Sequence, residues 1–166
     1  MRFQLTARFG FLAGFLASGG LISFALYLQH YEYQNPCPLC IMQRVVYIAL
    51  MVVFLAGALH GPRHIGTAVY SAVLTVICLV GAGVAGRHVW LQHLPKDKVP
   101  ECGPGLGYIL DRFPLMDAFT KIFRGSGECA EASWKMLGLS IAEWSLVWFV
   151  LLGAYAVVIA VKARKQ

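Results

Sequence analysis

Four long apolar stretches constrain the fold of this chain more than any other feature of its sequence. They cover residues 9–28, 41–59, 65–86 and 144–161, and Arg44 is the one charged residue within them. Each is close to the roughly 20 residues with which a helix crosses a bilayer, and helices satisfy every backbone polar group inside lipid. Only 13% of the residues are charged, against about 25% in soluble domains. We therefore expect an all-α membrane protein in which residues 1–166 form a single four-helix transmembrane bundle.

The first apolar stretch has an alternative interpretation as a secretory signal peptide, because Arg2 and Arg8 precede it and small residues occur within it. The apolar core of a signal peptide is usually about 7–15 residues long. The uncharged run from residue 9 to residue 28 exceeds that length. We therefore interpret it as a retained membrane span.

The distribution of Lys and Arg predicts the orientation of the bundle, because cytoplasmic loops are enriched in these residues. With four spans, one side carries six basic residues, namely Arg2, Arg8, Arg63, Lys162, Arg164 and Lys165. On the other side, segment 29–40 carries only Glu32, and segment 87–143 carries seven basic and seven acidic residues. We expect both termini in the cytoplasm and both of these loops outside. The net charge of +6 follows from this asymmetry and does not indicate a nucleic-acid partner.

Four of the five cysteines lie in the predicted outer segments, where disulfides persist. They are Cys37, Cys40, Cys102 and Cys129, whereas Cys78 lies within the third span. Four cysteines allow three connectivities, and the simplest pairs Cys37 with Cys40 and Cys102 with Cys129. The first pair closes too small a loop to stabilise a fold much, which favours a redox role. The second pair closes a 26-residue intervening segment and could be a structural staple, while Cys78 is interpreted as a small buried hydrophobe.

The Cys37-Pro38-Leu39-Cys40 motif is expected at the first turn of the second helix, where proline is well tolerated. The partial positive charge of a helix N-terminus favours the thiolate form of cysteine, which is the reactive form. Arg44 follows Cys40 by four residues and so shares its helix face. We predict that Arg44 stabilises an anionic Cys40 and polarises a bound electron acceptor, supported by the neighbouring Gln43. The alternative is an arginine that reaches the lipid headgroups.

Metal and nucleotide sites are weaker interpretations of the same residues. Structural zinc sites usually combine two paired knuckles, whereas this chain has one CxxC, so no metal is expected. The histidines lie near the predicted membrane surfaces, which disfavours haem, although His88 could line a site near Cys40. The run Gly81–Gly86 matches a dinucleotide fingerprint but lies inside a predicted membrane helix, where small residues allow close helix packing.

Residues 113–124 predict a short amphipathic helix within the long outer loop. The apolar side would carry Phe113, Met116, Phe119, Ile122 and Phe123. The polar side would carry Asp117, Lys121 and Arg124. Such a helix is expected in the membrane interface, with packing against the bundle as the alternative. It would tether the loop that carries Cys102 and Cys129.

The chain resembles the bacterial disulfide bond formation protein B family (DsbB) over essentially its whole length. The most specific matching segments are Cys37-Pro-Leu-Cys-Ile-Met-Gln-Arg44, His88-Val-Trp-Leu-Gln92 with Pro95 following, and Gly127-Glu-Cys-Ala-Glu131 leading to Trp134 and Leu137-Gly-Leu139. The four spans and two outer cysteine pairs match as well. The resemblance implies a multi-pass protein of the bacterial inner membrane with periplasmic redox loops.

The resemblance also implies an activity, that of an oxidase of a periplasmic thioredoxin-fold protein, DsbA. Reduced DsbA would attack at Cys102, the released Cys129 would engage Cys37, and Cys40 would pass electrons to a quinone (ubiquinone or menaquinone). Arg44 matches the family's quinone-site arginine, and His88 matches a position associated with the quinone. Paralogues with other thiol partners exist, so a DsbA-like partner and the membrane quinone pool are expectations.

Two further functions remain open at the level of sequence. A four-helix protein with a CxxC motif could run electrons in the opposite direction, as in vitamin K epoxide reductases, although their CxxC lies in a late span. The chain could also be a membrane scaffold with two inert disulfides. Quinone-dependent changes in thiol trapping would separate a scaffold from an enzyme.

Overall fold

The computed structural model describes residues 2–31, 36–98, 112, 114, 117, 120, 127–130 and 135–165 of the chain. Four long helices dominate these residues: α1 (Arg2–Tyr31), α2 (Pro38–His60), α3 (His64–Gln92) and α5 (Ile141–Lys165). A short 3-10 turn, Lys96–Lys98, follows α3, and the four-residue helix α4 (Gly127–Ala130) precedes a small hairpin. Of the predicted amphipathic helix at 113–124, only residues 114, 117 and 120 are described, and Cys102 lies outside the described residues.

The long helices are apolar enough to cross a membrane. Four candidate spans are found in the described residues, at Ala7–Tyr31, Pro38–His60, His64–Gln92 and Ile141–Ala163. Large hydrophobic side chains remain exposed along all four, as at Phe9, Val52, Leu79 and Val150. In water such a surface would be unfavourable, whereas lipid solvates it. The predicted all-α fold with four membrane helices is confirmed.

The helices pack in chain order. Helix α1 lies against α2, α2 against α3, and α3 against α5, with a smaller contact between α1 and α5. The core between them is built from fully buried aromatic and aliphatic side chains, including Phe11, Leu50, Phe54, Leu74 and Phe149. Cys78 lies within this core, where it packs like the small hydrophobe that the sequence predicted.

Two glycines allow the close approach of neighbouring helices. A methyl group added at Gly14 on α1 would lie 2.3 Å from the Phe54 ring on α2. One added at Gly81 on α3 would lie 2.4 Å from the Phe149 ring on α5. Small residues at these crossings therefore admit a large ring from the facing helix.

Helix α2 begins and ends with sequence-specific caps. Cys37 is its N-cap, in an extended conformation, and Pro38 occupies the first turn, where its missing N–H is not needed. At the other end Gly61 adopts φ 57° and its N–H bonds the carbonyl of Gly57 at 3.0 Å. A left-handed residue at this position is most easily supplied by glycine. The first turn of α2 is thus fixed at Cys37.

A hairpin that the sequence did not predict leads into α5. Strands β1 (Lys135–Met136) and β2 (Leu139–Ser140) are antiparallel, and the turn residues Leu137 and Gly138 both have positive φ. Ser140 and Glu143 then form a capping box: the Glu143 carboxylate accepts from Ser140 N at 2.6 Å, and Ser140 Oγ accepts from Glu143 N at 3.3 Å. Ser140 also donates to Gln92 at 2.7 Å, which ties α5 to the end of α3.

Candidate functional site

The CxxC cysteines occupy the N-terminal turn of α2. The sulfur of Cys37 accepts a hydrogen bond from the backbone N–H of Cys40 at 3.4 Å, and the two sulfurs lie 3.3 Å apart. Cys37 is buried and Cys40 is partly exposed. The helix N-terminus therefore directs a backbone N–H at the sulfur of Cys37 and places its partial positive charge beside both sulfurs. This is an environment that stabilises a thiolate.

Helix α4 brings a third cysteine to the same place. Cys129 is fully buried, and it packs with Cys37 against Leu39, Val84 and Leu91. The potential ligand atoms of Cys37, His88 and Cys129 all lie within 4.8 Å of one another. The sulfur of Cys129, from the long loop, thus lies close to the CxxC pair.

A buried imidazole and a buried amide complete this cluster. His88 Nε2, on α3, lies 3.7 Å from the sulfur of Cys37. On its other side, His88 Nδ1 lies 3.1 Å from the side-chain nitrogen of Gln43 on α2. Both side chains are almost inaccessible, Gln43 at 4% and His88 at 3% exposure. Buried polar groups need partners, and here each partner belongs to the site.

Arg44 lies on a different side of α2 from Gln43. Its guanidinium donates to the side-chain oxygen of Gln29 and, at 3.2 Å, to the backbone carbonyl of Ala25. Both acceptors belong to the last turns of α1. Arg44 therefore bridges α1 and α2 one helical turn from Cys40. Polar contacts within the bundle stabilise its charge near the end of an apolar helix.

The sequence-predicted residues are brought together to different degrees. One cluster contains four of them, namely Cys37, Cys40, Cys129 and His88. Arg44 lies beside this cluster, and Cys102 lies outside the described residues. The disulfide pairing of these cysteines stays a prediction. Gln29 was missed by sequence reasoning, and the signal available was a polar residue at the end of an otherwise apolar helix.

Thiols in sulfur–sulfur contact beside a buried imidazole can carry out thiol–disulfide exchange, in which a thiolate attacks a disulfide sulfur. The position of this cluster at one end of four apolar helices defines a membrane-embedded thiol oxidoreductase.

Comparison with known proteins narrows this class. The sequence model of the family described as "Disulfide bond formation protein DsbB" matches residues 7–159. Disulfide bond formation protein B of Nitrosococcus oceani is 49% identical over 150 residues, covering 90% of this chain and 89% of that protein. Its counterpart in Xanthomonas euvesicatoria is 43% identical over 165 residues, covering 99% and 96%. The chain belongs to the DsbB family of membrane disulfide oxidoreductases, which support disulfide bond formation.

Proposed function

We propose that this protein transfers two electrons from a periplasmic DsbA-like dithiol protein, through its two cysteine pairs, to ubiquinone or menaquinone in the membrane. The burial of Cys129 against Cys37 and His88 carries this proposal. It joins a cysteine of the long loop to the CxxC motif, as a relay requires. An isolated structural staple in the loop would have no need of this contact.

The relay begins with two exchanges that conserve electrons. A thiolate of the reduced partner attacks Cys102 in a Cys102–Cys129 disulfide, and Cys129 leaves with the electron pair of the broken bond. The Cys129 thiolate then attacks Cys37 in a Cys37–Cys40 disulfide, and Cys40 leaves as a thiolate. The N-terminal turn of α2 stabilises this leaving group through its partial positive charge. The relay is completed when the partner's second thiolate attacks the partner sulfur bonded to Cys102 and Cys102 leaves. The Cys102 thiolate then attacks Cys129 in the Cys37–Cys129 disulfide, and Cys37 leaves.

The residues around Cys40 fit a quinone headgroup, whose carbonyl oxygens accept hydrogen bonds. Arg44 has five N–H donors, and its two bonds to Gln29 and Ala25 leave others to donate. Cys40 and Arg44 would hold the headgroup near the ends of α1 and α2. His88, whose two ring nitrogens face Cys37 and Gln43, would line the site from α3. A bound quinone would supply the acceptor for two electrons and two protons, while the protein supplies orientation and charge.

We further propose that the site faces the periplasm in the bacterial inner membrane and that both termini are cytoplasmic. The site lies at the end of the bundle where α1 and α3 end and where α2 and α5 begin. The opposite end carries Arg8, Arg63 and Lys162. This asymmetry of basic residues agrees with a cytoplasmic location for that end.

Turnover by purified protein in lipid tests the function. Oxidation of a reduced DsbA-like protein should require added quinone, with net electron flow from dithiol to quinone. Cys37→Ser and Cys40→Ser should abolish this turnover, because each removes a sulfur from the relay. Cys78→Ala is the matched control. This variant should retain activity, because Cys78 lies in the helix core. Full quinone-dependent turnover in either CxxC variant would refute the relay.

A soft-metal site is a second candidate, favoured by the spacing of Cys37, His88 and Cys129. Sulfur and imidazole nitrogen are common zinc ligands. Protein purified without chelators should then retain stoichiometric zinc and release it to a chromophoric chelator. Absence of bound zinc together with quinone-dependent turnover would favour the oxidase.

A further inference from the structure

We propose that Gln43 is a positioning residue that holds His88 in the tautomer with its proton on Nε2, directed at the sulfur of Cys37. This inference deepens the proposed function and rests on it, because it assigns a supporting residue to the relay cysteine Cys37. It concerns only groups of this chain, and its test requires neither quinone nor a protein partner.

The chemistry of the amide sets the direction of the hydrogen bonds. The side-chain nitrogen of Gln43, which can only donate, is the atom 3.1 Å from His88 Nδ1. Nδ1 must therefore accept, and the proton of a neutral imidazole lies on Nε2. That nitrogen is 3.7 Å from the Cys37 sulfur, within range of an N–H to sulfur hydrogen bond. The imidazole also forms a hydrogen bond with the backbone of Cys129, so the N–H is shared between this backbone group and the Cys37 sulfur.

Burial makes this arrangement specific. Gln43 and His88 are 4% and 3% exposed, so water has little access to either group. If Gln43 were apolar, Nδ1 would lose its donor, and the proton could move to Nδ1. The Nε2 lone pair would then face Cys37 and could not stabilise negative charge on its sulfur. Leaving such a group unsatisfied is also costly in a buried site.

Gln43 and Arg44 are adjacent in α2, and this explains how one helix contacts both α3 and α1. Successive residues of a helix point about 100° apart. Gln43 thus reaches His88 on α3, while Arg44 reaches Gln29 on α1. The two adjacent polar residues support different groups, one the sulfur of Cys37 and the other the region beside Cys40.

The step that benefits is the release of Cys37. When the Cys102 thiolate attacks Cys129 in a Cys37–Cys129 disulfide, a new sulfur–sulfur bond forms between Cys102 and Cys129. The old bond breaks, and Cys37 leaves with its electron pair. No net oxidation occurs in this exchange. The Nε2–H of His88 lies at the sulfur that receives the charge, and hydrogen bonds to charged groups are stronger than those to neutral ones.

Nitrogen-15 NMR of histidine-labelled, reduced, quinone-free protein tests the tautomer directly. His88→Gln identifies the His88 signals by difference. In the unsubstituted protein we expect Nδ1 to show the shift of an unprotonated nitrogen and Nε2 that of an N–H. Gln43→Leu should move the chemical shifts of both nitrogens toward the values of a mixture of the two tautomers. Gln43→Glu should protonate Nδ1, since a carboxylate can only accept.

Gln92→Leu provides the matched control. Gln92 lies one helical turn beyond His88 on α3 and bonds Ser140 rather than the imidazole, so its loss should leave both His88 shifts unchanged. A protonated Nδ1 in the unsubstituted protein would overturn the proposal, as would unchanged shifts in both Gln43 variants. The spectrum of the unsubstituted protein and that of Gln43→Glu keep the test decisive even if Gln43→Leu does not fold.

The reactivity of Cys37 gives a second readout. In protein with the other four cysteines replaced by alanine, iodoacetamide should modify Cys37 about ten-fold more slowly after Gln43→Leu, a loss typical of one hydrogen bond to a charged group. Gln92→Leu should leave the rate unchanged. An equal rate in both variants would count against the positioning role. Failure of quinone-dependent turnover, by contrast, would defeat the proposed function and leave these two measurements unaffected.

Discussion

At the scale of single residues, the site depends on polar side chains that leave the apolar helices at one end. Arg44 is held from α1 by the side chain of Gln29 and the carbonyl of Ala25. This fixes the guanidinium near Cys40 without a carboxylate partner in those bonds. A cation that is not neutralised by a carboxylate in this way keeps its charge available for an electron-rich ligand such as a quinone carbonyl.

We expect Arg44→Ala to raise the KM for quinone about ten-fold or more, because hydrogen bonds to a charged group contribute about 1.5–3 kcal/mol. Mixed-disulfide formation at Cys102 should be largely retained, since that step precedes the quinone. Steady-state kinetics at varied quinone and trapping of the mixed disulfide measure the two effects. Arg44→Lys is the matched control and should restore part of the affinity. An unchanged quinone KM in Arg44→Ala would show that this arginine has another role.

At the scale of helices, close packing is determined by which glycines meet large rings. Gly14 faces the fully buried Phe54 ring, whereas nothing lies within 4 Å of a methyl group added at Gly20 on the same helix. The apolar pattern alone does not separate these two positions, because both belong to an uncharged stretch. The difference arises from the neighbour that each glycine meets.

Gly14→Ala should destabilise the bundle by about 1–3 kcal/mol, the usual cost of overpacking a tight core. This cost exceeds the helix-propensity gain of about 1 kcal/mol from replacing glycine with alanine. Gly20→Ala should be neutral or stabilising. Thermal unfolding of the two variants in mild detergent gives the comparison. Equal unfolding temperatures for Gly14→Ala and Gly20→Ala would mean that the Phe54 ring moves to accommodate the added methyl group.

At the scale of the whole molecule, the bundle has two chemically different ends. The end with Cys37 and His88 collects the thiols and the buried imidazole. The other carries basic side chains, where Arg8 donates to the carbonyl of Leu59 at 3.5 Å. A potential across the membrane and the insertion machinery both favour basic residues on the cytoplasmic side. The redox end would then face the oxidising compartment.

The two ends of α3 allow a paired test of this orientation. Arg63 and His93 cap that helix at opposite ends, and both are exposed. In protein without other cysteines, a membrane-impermeant maleimide added to intact spheroplasts should label His93→Cys and spare Arg63→Cys. Permeabilised cells should show labelling of both. Protection of His93→Cys with labelling of Arg63→Cys would reverse the proposed topology.

Much of the fold was predictable because membrane helices have a strong sequence signal. Their apolar length, the helix start at the Cys37-Pro38 motif, and the basic asymmetry follow from local sequence and lipid solvation. The hairpin before α5 was not predicted, because two-residue strands leave almost no periodic pattern. Its turn also places Leu137 at φ 55°, a conformation that non-glycine residues rarely adopt.

The sequence by itself determined four apolar helices and a CxxC motif at the start of the second. Only the tertiary structure decided that Cys129 and His88 meet Cys37, and that Gln43 contacts α3 whereas Arg44 contacts α1. The physical reason is that helical periodicity fixes the direction of a side chain relative to its own helix. Which group it meets depends on the packing of helices far apart in the chain.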